Sequence, residues 1–177
     1  MPQKCLFLML GYPGAGKTTV SRLICDLTDA VHIWSDHERR AMFNQPTHSK
    51  AESDKLYAYL NRRTKELLSD GRSVVFDTSF NHLKDREHLR RIADDAQAKT
   101  ILVWVNTPLD LARARAVHDS HALDNHYPEA MSEAEFERIA RHLEPPQADE
   151  SFYAIDGEKI SREAVEKLLT RAGVILS

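Results

Sequence analysis

The chain has 177 residues, with 27 acidic and 24 basic residues, nine histidines and a formal net charge of −3. A chain of this length can form one core without disulfides, and two cysteines give no disulfide framework, so we expect one domain over residues 1–177 in a reducing, cytoplasmic compartment. The acidic balance disfavours a protein that holds long nucleic acid through its phosphates, and the apolar run near the start is too short for a membrane-spanning helix or a leader peptide.

Short apolar runs alternate with segments of helical spacing along the chain. The run "CLFLML" (residues 5–10) predicts a strand, and "TTVSRLICDL" after it places apolar residues on one face of a helix. Four further pairs follow: "AVHIW" with "AESDKLYAYLNRRTKELLSDG", "SVVFD" with "DREHLRRIADDAQA", "TILVWVN" with "PLDLARARA", and "SFYAI" with "SREAVEKLLTRAG". Two stretches, "NHYPEAMSEAE" and "EPPQADES", are predicted to be loops. The pattern therefore predicts five strands, each followed by a helix.

Several of these strands are apolar on both faces, which is typical of a parallel sheet covered by helices on both sides. The predicted fold class is α/β, a doubly wound five-stranded parallel sheet. Ligands of such folds bind beyond the carboxyl ends of the strands, so the candidate functional residues lie in 11–18, 35–39, 77–82 and 106–115.

Three of the six glycines lie within six positions, directly after the first predicted strand. The stretch "GYPGAGKT", Gly11 to Thr18, matches G-x-x-x-x-G-K-[ST] between a strand and a helix, which predicts a loop whose backbone N–H groups bind phosphate. Lys17 would supply charge to the β and γ phosphates and Thr18 a hydroxyl for Mg²⁺. The alternative is a glycine turn with no ligand. The predicted ligands are ATP and Mg²⁺, and the predicted nucleotide-binding residues here are Gly11, Pro13, Gly14, Ala15, Gly16, Lys17, Thr18 and Thr19.

Asp36 and Arg39 follow the second strand at a spacing that places both on one face of a starting helix. A carboxylate there can accept the proton of an acceptor hydroxyl, and an arginine can position the acceptor or offset the charge being transferred. The alternative interpretation is that Ser35 or Asp36 only caps the helix.

Asp77 ends the third strand, where a carboxylate could lie near a metal or beside a substrate-binding arginine. Thr78 adds a neutral hydrogen-bonding group and is a candidate substrate-binding residue with Asp77. For Ser79 and Asn81, capping of the next helix is an equal alternative.

Arg113 and Arg115 follow the fourth strand and begin a predicted lid of about residues 113–131. An arginine in such a lid can reach nucleotide phosphates and stabilise the transition state. Arg113 is a candidate nucleotide-binding residue and Arg115 a candidate catalytic one, but because residues two apart on a helix point about 200° apart, only one of the two is expected to reach the phosphates. His118, His121 and His126 match no tight metal-ligand spacing, so we expect exposed histidines and no metal besides Mg²⁺.

Taken together, "GYPGAGKTT", "SDHERR", "VVFDTSF", "NTPLDLARAR" and "LEPPQADE" resemble the polynucleotide-kinase-type branch of P-loop kinases, which includes AAA-domain predicted kinases. The resemblance covers nearly the whole chain and implies a P-loop NTPase-type fold with a lid. It implies Lys17 and Thr18 at the phosphates and Mg²⁺, Asp36 as general base, Arg39 at the acceptor with Asp77 supporting it, and Arg115 as the lid arginine. The family's second lid arginine has no counterpart here, where the sequence reads His118-Asp119.

The function predicted from these residues is ATP-dependent transfer of a phosphoryl group to a hydroxyl acceptor, either a nucleic-acid 5′-hydroxyl or a small alcohol. Net charge does not indicate a nucleic-acid end, and no residue pattern identifies the acceptor or the oligomeric state. Residues 47–54 and 118–131 are expected to shape the acceptor pocket. The alternatives are a P-loop NTPase or nucleotide-gated binding module without a hydroxyl acceptor, and a noncatalytic domain that kept the fold.

Overall fold

Five parallel strands form one sheet in the order β2-β3-β1-β4-β5 in the computed structural model, which describes residues 3–78, 82–118 and 130–177. The strands are β1 (Cys5–Leu10), β2 (Val31–Trp34), β3 (Val74–Asp77), β4 (Lys99–Asn106) and β5 (Phe152–Asp156). The helices in the described ranges are α1 (Lys17–Thr28), α2 (Ser35–Met42), α3 (Lys50–Ser69), α4 (Leu83–Asp95), α5 (Leu109–His118), α6 (Glu133–Arg141) and α7 (Arg162–Arg171). The predicted α/β fold class with a five-stranded parallel sheet is confirmed.

The central strand β1 is buried along its whole length, and its side chains divide between two cores. Phe7 and Met9 pack into a cluster that also contains residues of α1 and α7. Leu6 and Leu8 pack into a second cluster with residues of α3 and α4. Successive side chains of a strand point to opposite faces, so an unbroken apolar run is what a sheet covered on both sides requires.

The strand order reverses at β1, because β2 and β3 lie on one side of it and β4 and β5 on the other. Such a switch point leaves a crevice beyond the carboxyl ends of the strands, where open α/β sheets bind their ligands. The loop from Gly11 to Gly16 leaves β1 at this crevice and runs directly into α1. Topology therefore places the glycine-rich loop where the sequence predicted a ligand.

The prediction of a loop over "NHYPEAMSEAE" was wrong at its end, because α6 begins at Glu133. Ser132 caps this helix by accepting a hydrogen bond from the backbone N–H of Glu135 at 3.2 Å. Serine followed three residues later by glutamate is a capping-box pattern that marks a helix start in the sequence. None of the helices in the described part of the chain is long and apolar enough to cross a lipid bilayer.

Candidate active site

A cavity of about 780 Å³ opens at the carboxyl ends of the strands. Its walls come from the glycine-rich loop, the β2–α2 junction, α3, the end of β3, α5, α6 and the loop after β5. The residues that line it include Pro13, Gly14, Gly16, Lys17, Thr18, Thr19, Ser35, Asp36, Arg39, Arg40, Pro46, His48, Ser53, Tyr57, Asp77, Thr78, Arg115, Glu135, Arg138, Gly157 and Glu158.

The glycine-rich loop uses Gly14 and Gly16 for conformations that other residues avoid. Gly14 has φ +77°, and a Cβ there would lie 2.2 Å from the carbonyl oxygen of Ala112. Gly16 has φ +104° and is the N-cap of α1, with its Cα packed close to Ile160. The loop can therefore pack against α5 and the segment after β5 only because these positions lack side chains.

Lys17 is the first residue of α1 and is 8% exposed. Its Nζ donates hydrogen bonds to the carbonyl oxygens of Gly11 and Tyr12, both at 2.9 Å. Burial lowers the pKa of the Lys17 ammonium, and the nearby carboxylates of Asp77 and Asp36 oppose that effect. The ammonium is thus held at the base of the loop, with two carboxylates close enough to act on its charge.

One hydrogen bond holds the glycine-rich loop to the segment after β4, and a second joins the end of β4 to the segment after β5. Thr107, just after β4, donates from Oγ1 to the carbonyl oxygen of Ala15 at 2.8 Å. Gly157, just after β5, donates its N–H to the carbonyl oxygen of Asn106 at 3.0 Å. Ala15 and Gly11 are buried beneath the cavity wall. The rest of the predicted phosphate-binding set, from Pro13 to Thr19, lines the cavity.

The β2–α2 junction places Asp36 in the cavity, one residue inside the start of α2. The N-cap of α2 is Trp34, whose side chain makes no cap hydrogen bond. Ser35 and Asp36 are the first two residues of the helix, where a carboxylate interacts favourably with the positive end of the helix dipole. Asp36 is half-buried. The N-cap position that the alternative interpretation gave to Ser35 or Asp36 therefore belongs to Trp34.

Arg39 lies on the same helix and also lines the cavity, with 8% of its surface exposed. Its Nη1 donates to Glu52 Oε1 on α3, and its Nη2 donates to Ser53 Oγ at 3.3 Å. The resemblance implied Asp77 as the acid that supports Arg39. The structure instead pairs Arg39 with Glu52, because α3 packs beside α2 and brings Glu52 to the guanidinium.

Asp77 ends β3 and is 2% exposed. Its Oδ2 is 3.0 Å from Nε2 of His32 on the neighbouring strand β2. Thr78, the next residue, forms a side-chain hydrogen bond with Tyr57 of α3. Both predicted substrate-binding residues therefore line the cavity, but the partners that hold them come from β2 and α3.

The two arginines of α5 point in different directions, as the helical geometry predicts. Arg115 lines the cavity, and its Nη1 donates to the carbonyl oxygen of Gly157 at 3.0 Å. Arg113 lies away from the cavity with its guanidinium 5.6 Å from the ring centre of Phe136, and its Nε is 3.9 Å from Glu133 Oε2. The position of Arg113 in the α5–α6 contact argues against its predicted nucleotide-binding role.

Part of the predicted lid and several predicted residues lie outside the described residues. These are Ser79, Asn81, Asp119, His121, His126 and the section of the lid from 119 to 129. His118 is exposed, with Nε2 3.6 Å from Glu133 Oε1. For Mg²⁺, the hydroxyl of Thr18 and the carboxylates of Asp36 and Asp77 line one cavity, and such oxygen donors fit that cation.

Three groups of cavity residues were missed by the sequence analysis. The first, Gly157 and Glu158, follows β5, and the rule that functional residues follow strand ends would have found them had it been applied to the fifth strand. The second, Glu135 and Arg138, belongs to α6, whose capping box marks it. The third is Pro46, at the edge of the expected 47–54 pocket segment, which no residue pattern marks. Glu52, within that segment, does not line the cavity but holds Arg39, and its capping-box spacing from Ser49 marks the start of α3 without indicating this contact.

Comparisons with known proteins give a family and a fold for the chain. Uncharacterized proteins from Mycobacterium bovis and Mycobacterium tuberculosis are each 27% identical to the chain over 124 residues, covering 63% of the chain and 25% of the relative. The chain thus spans about a quarter of the length of the relatives it matches.

Among solved structures, a putative kinase from Chloroflexus aurantiacus superimposes with a TM-score of 0.74 at 20% identity, covering 98% of each chain. The Mycobacterium tuberculosis APS kinase in complex with AMPPNP and APS superimposes with a TM-score of 0.65 at 17% identity, covering 98% of this chain and 99% of that one. These likenesses show that the chain shares its fold with these two proteins. The AAA domain family model matches residues 6–146, well over half of the chain, and the chain therefore belongs to the AAA domain family.

Proposed function

We propose that the chain is an ATP-dependent phosphotransferase that moves the γ-phosphoryl group to a hydroxyl acceptor. The observation that carries this proposal is that Lys17, Asp36 and Arg39 line one cavity. The first belongs to a phosphate-binding loop, the second can accept a hydroxyl proton, and the third can position the molecule that bears the hydroxyl.

The nucleotide occupies the side of the cavity formed by the glycine-rich loop. Backbone N–H groups of the loop bind the phosphates, and Lys17 exchanges the carbonyl oxygens of Gly11 and Tyr12 for phosphate oxygens. Arg115 lies at the same cavity and is the arginine of α5 placed to bind phosphate charge. Thr18 and Asp77 would hold Mg²⁺, directly or through water, and the cation would offset phosphate charge when bound.

The acceptor occupies the side formed by α2, α3 and the segment between them. Asp36 accepts the proton of the attacking hydroxyl, and Arg39 donates hydrogen bonds to the acceptor. The walls on this side are Pro46, His48, Ser53 and Tyr57. The presence of AMPPNP together with a second substrate in the APS kinase structure supports a two-substrate cavity on this fold.

Phosphoryl transfer from γ-labelled Mg-ATP tests this proposal directly. Purified protein is incubated with a panel of small alcohols, sugars and 5′-hydroxyl oligonucleotides, and labelled products are separated from released phosphate. We expect label on one acceptor class. Release of phosphate to water alone, at an equal rate in the Asp36→Asn variant, would identify an NTPase instead. Failure of ATP to raise the melting temperature would indicate a noncatalytic domain.

We also infer one catalytic domain over residues 1–177 with a lid near 113–131, acting in the cytoplasm. Burial raises the pKa of Cys5, and burial with the nearby carboxylates of Asp26 and Asp77 raises that of Cys25 to about 12, so both thiols stay protonated near neutral pH. Free thiols of this kind are ordinary in a reducing compartment and support a cytoplasmic location.

A further inference from the structure

The side chain of Glu52, in the first turn of α3, accepts hydrogen bonds from three residues. Its Oε1 accepts from Arg39 Nη1 and from the backbone N–H of His48 at 3.2 Å. Its Oε2 accepts from the backbone N–H of Thr47 at 2.6 Å and from Thr47 Oγ1 at 2.9 Å. The carboxylate of Glu52, a residue that is 7% exposed, therefore joins α3 to α2 and to the segment between the two helices through hydrogen bonds.

The segment held in this way forms a wall of the cavity on its acceptor side. Pro46 and His48 line the cavity, and His48 has φ +54°, a left-handed conformation that histidine adopts less readily than glycine. The hydrogen bond from the His48 N–H to Glu52 helps to hold this residue in place. Glu52 itself does not line the cavity, although its neighbour Ser53 does.

Docking of α3 does not require this ion pair. Leu56, Leu60, Leu67 and Leu68 of the same helix are buried in the core against the sheet. A buried ion pair gains little net stability, because removing two charges from water costs about as much as their attraction returns. Stabilisation of the packing between α2 and α3 therefore does not explain the Arg39–Glu52 pair. Its position beside the cavity indicates another role.

Burial alone would raise the pKa of the Glu52 carboxyl, but hydrogen bonds from Thr47, Arg39 and His48 outweigh it and lower the pKa to about 2. Glu52 thus stays ionised at any pH at which a kinase would work. Its charge gives the guanidinium of Arg39 a fixed partner, so Arg39 meets the cavity as a positioned hydrogen-bond donor rather than as an unpaired cation.

We propose that Glu52 is a positioning residue for the acceptor site. It fixes the guanidinium of Arg39 and the wall formed by residues 46–48, and so determines how the acceptor is bound, while the nucleotide side of the cavity is independent of it. This inference rests on the proposed phosphotransfer, since it assigns Arg39 and this wall to the acceptor.

The test compares Glu52→Gln with Asp54→Asn. Both substitutions remove one carboxylate of an ion pair on α3, but Asp54, the last residue of the expected 47–54 pocket segment, does not line the cavity. It pairs with Lys50 at the surface, where its side chain is 65% exposed. With the acceptor found in the transfer screen, we expect Glu52→Gln to raise the acceptor KM by roughly tenfold or more, with a smaller change in kcat and an unchanged Kd for AMPPNP. Asp54→Asn is expected to match the wild type in all three. An unchanged acceptor KM in Glu52→Gln, or an equal loss of AMPPNP affinity, would overturn the proposal.

Two further measurements test the proposal if no acceptor is phosphorylated or if Glu52→Gln does not fold. Phenylglyoxal modifies accessible guanidinium groups, and peptide mapping should show faster labelling of Arg39 in Glu52→Gln than in the wild type or Asp54→Asn. If the wild type phosphorylates no acceptor, the proposed function fails, and unchanged labelling of Arg39 would overturn the present inference separately. Thr47→Val replaces Glu52→Gln if the latter does not fold, because it removes one side-chain hydrogen bond to Glu52. It should raise the acceptor KM and the rate of Arg39 labelling by less than Glu52→Gln would. No change in either quantity would count against the role of Glu52.

Discussion

Arg115 donates a hydrogen bond from Nη1 to the carbonyl oxygen of Gly157 at 3.0 Å, which ties α5 to the loop after β5 at the cavity. Arg113, two residues earlier, lies instead over the ring of Phe136 in the α5–α6 contact. The same helix therefore presents one arginine to the cavity and uses the other for packing. This difference gives a matched pair of variants.

We expect Arg115→Ala to lower phosphoryl transfer by roughly 100-fold or more, since it removes a cation placed to stabilise transferring charge. Arg113→Ala should leave transfer near the wild-type rate and lower stability by about 0.5–2 kcal/mol through the lost cation–π contact. Steady-state transfer rates and urea unfolding of both variants provide the measurement. A larger loss of transfer in Arg113→Ala than in Arg115→Ala would reverse the assignment.

Removal of the Lys17 ammonium should abolish most of the phosphoryl-transfer activity. Lys17→Met keeps an apolar stem in the buried site but deletes the charge nearest the phosphates, and we expect turnover to fall by roughly 100- to 1,000-fold. Because burial already lowers the pKa of Lys17, losing this charge should not unfold the protein. Turnover and melting temperature are measured together, with the exposed Lys167→Met as the control. Near-normal turnover in a folded Lys17→Met variant would refute the phosphate-binding assignment.

The segment between α6 and β5 depends on a buried arginine. Arg86 of α4 is fully buried and donates to both carboxylate oxygens of Glu150, at 3.0 and 2.6 Å, and to the carbonyl oxygen of Glu144 at 3.0 Å. Replacing Arg86 by Met leaves the buried carboxylate without this partner and should lower the free energy of unfolding by about 3–5 kcal/mol. Arg62→Met breaks an exposed pair with Glu66 and should cost under about 1 kcal/mol. Equal unfolding free energies for the two variants would contradict this account.

The hydrogen bonds between Arg86 and Glu150 also predict how the stability of the fold depends on pH. Burial alone would raise the pKa of the Glu150 carboxyl, but hydrogen bonds from Arg86, Gln147 and Arg90 outweigh it and lower the pKa from 4.5 to about 2. A carboxyl whose pKa is lower in the folded state stabilises the fold above its unfolded pKa and loses that contribution as pH falls through the folded value. Melting temperature should therefore fall between pH 4.5 and about 2. Glu150→Gln should flatten that decline, and a slope equal to that of the wild type would contradict the assigned pKa.

The sheet and the nucleotide side of the site were predictable because their signals are local. Apolar runs such as that of β1 predict buried parallel strands, and Gly11 to Thr18 combines a glycine spacing with its own flanking strand and helix. The acceptor side was harder to predict. Glu52 resembles any acidic residue in the first turn of a helix, and its contact with Arg39 depends on how α2 and α3 pack. Asp77 lines the cavity at the end of β3, where its place after an apolar run can be read from the sequence. Its partner His32 follows from strand pairing between β2 and β3, which the sequence does not specify residue by residue.

The central claim is that the cavity transfers phosphate to a hydroxyl, with Asp36 accepting the proton. Asp36→Asn keeps the side-chain size, and asparagine can replace most hydrogen bonds of the carboxylate, so the loss of charge in the first turn of α2 should cost about 0.3–1 kcal/mol of helix-dipole stabilisation. The decisive measurement is the transfer rate to the identified acceptor together with the Kd for AMPPNP on the same preparations. We predict a fall in transfer of roughly 100-fold or more with an unchanged Kd, and a smaller fall in hydrolysis to water. Transfer at the wild-type rate in Asp36→Asn would contradict the account.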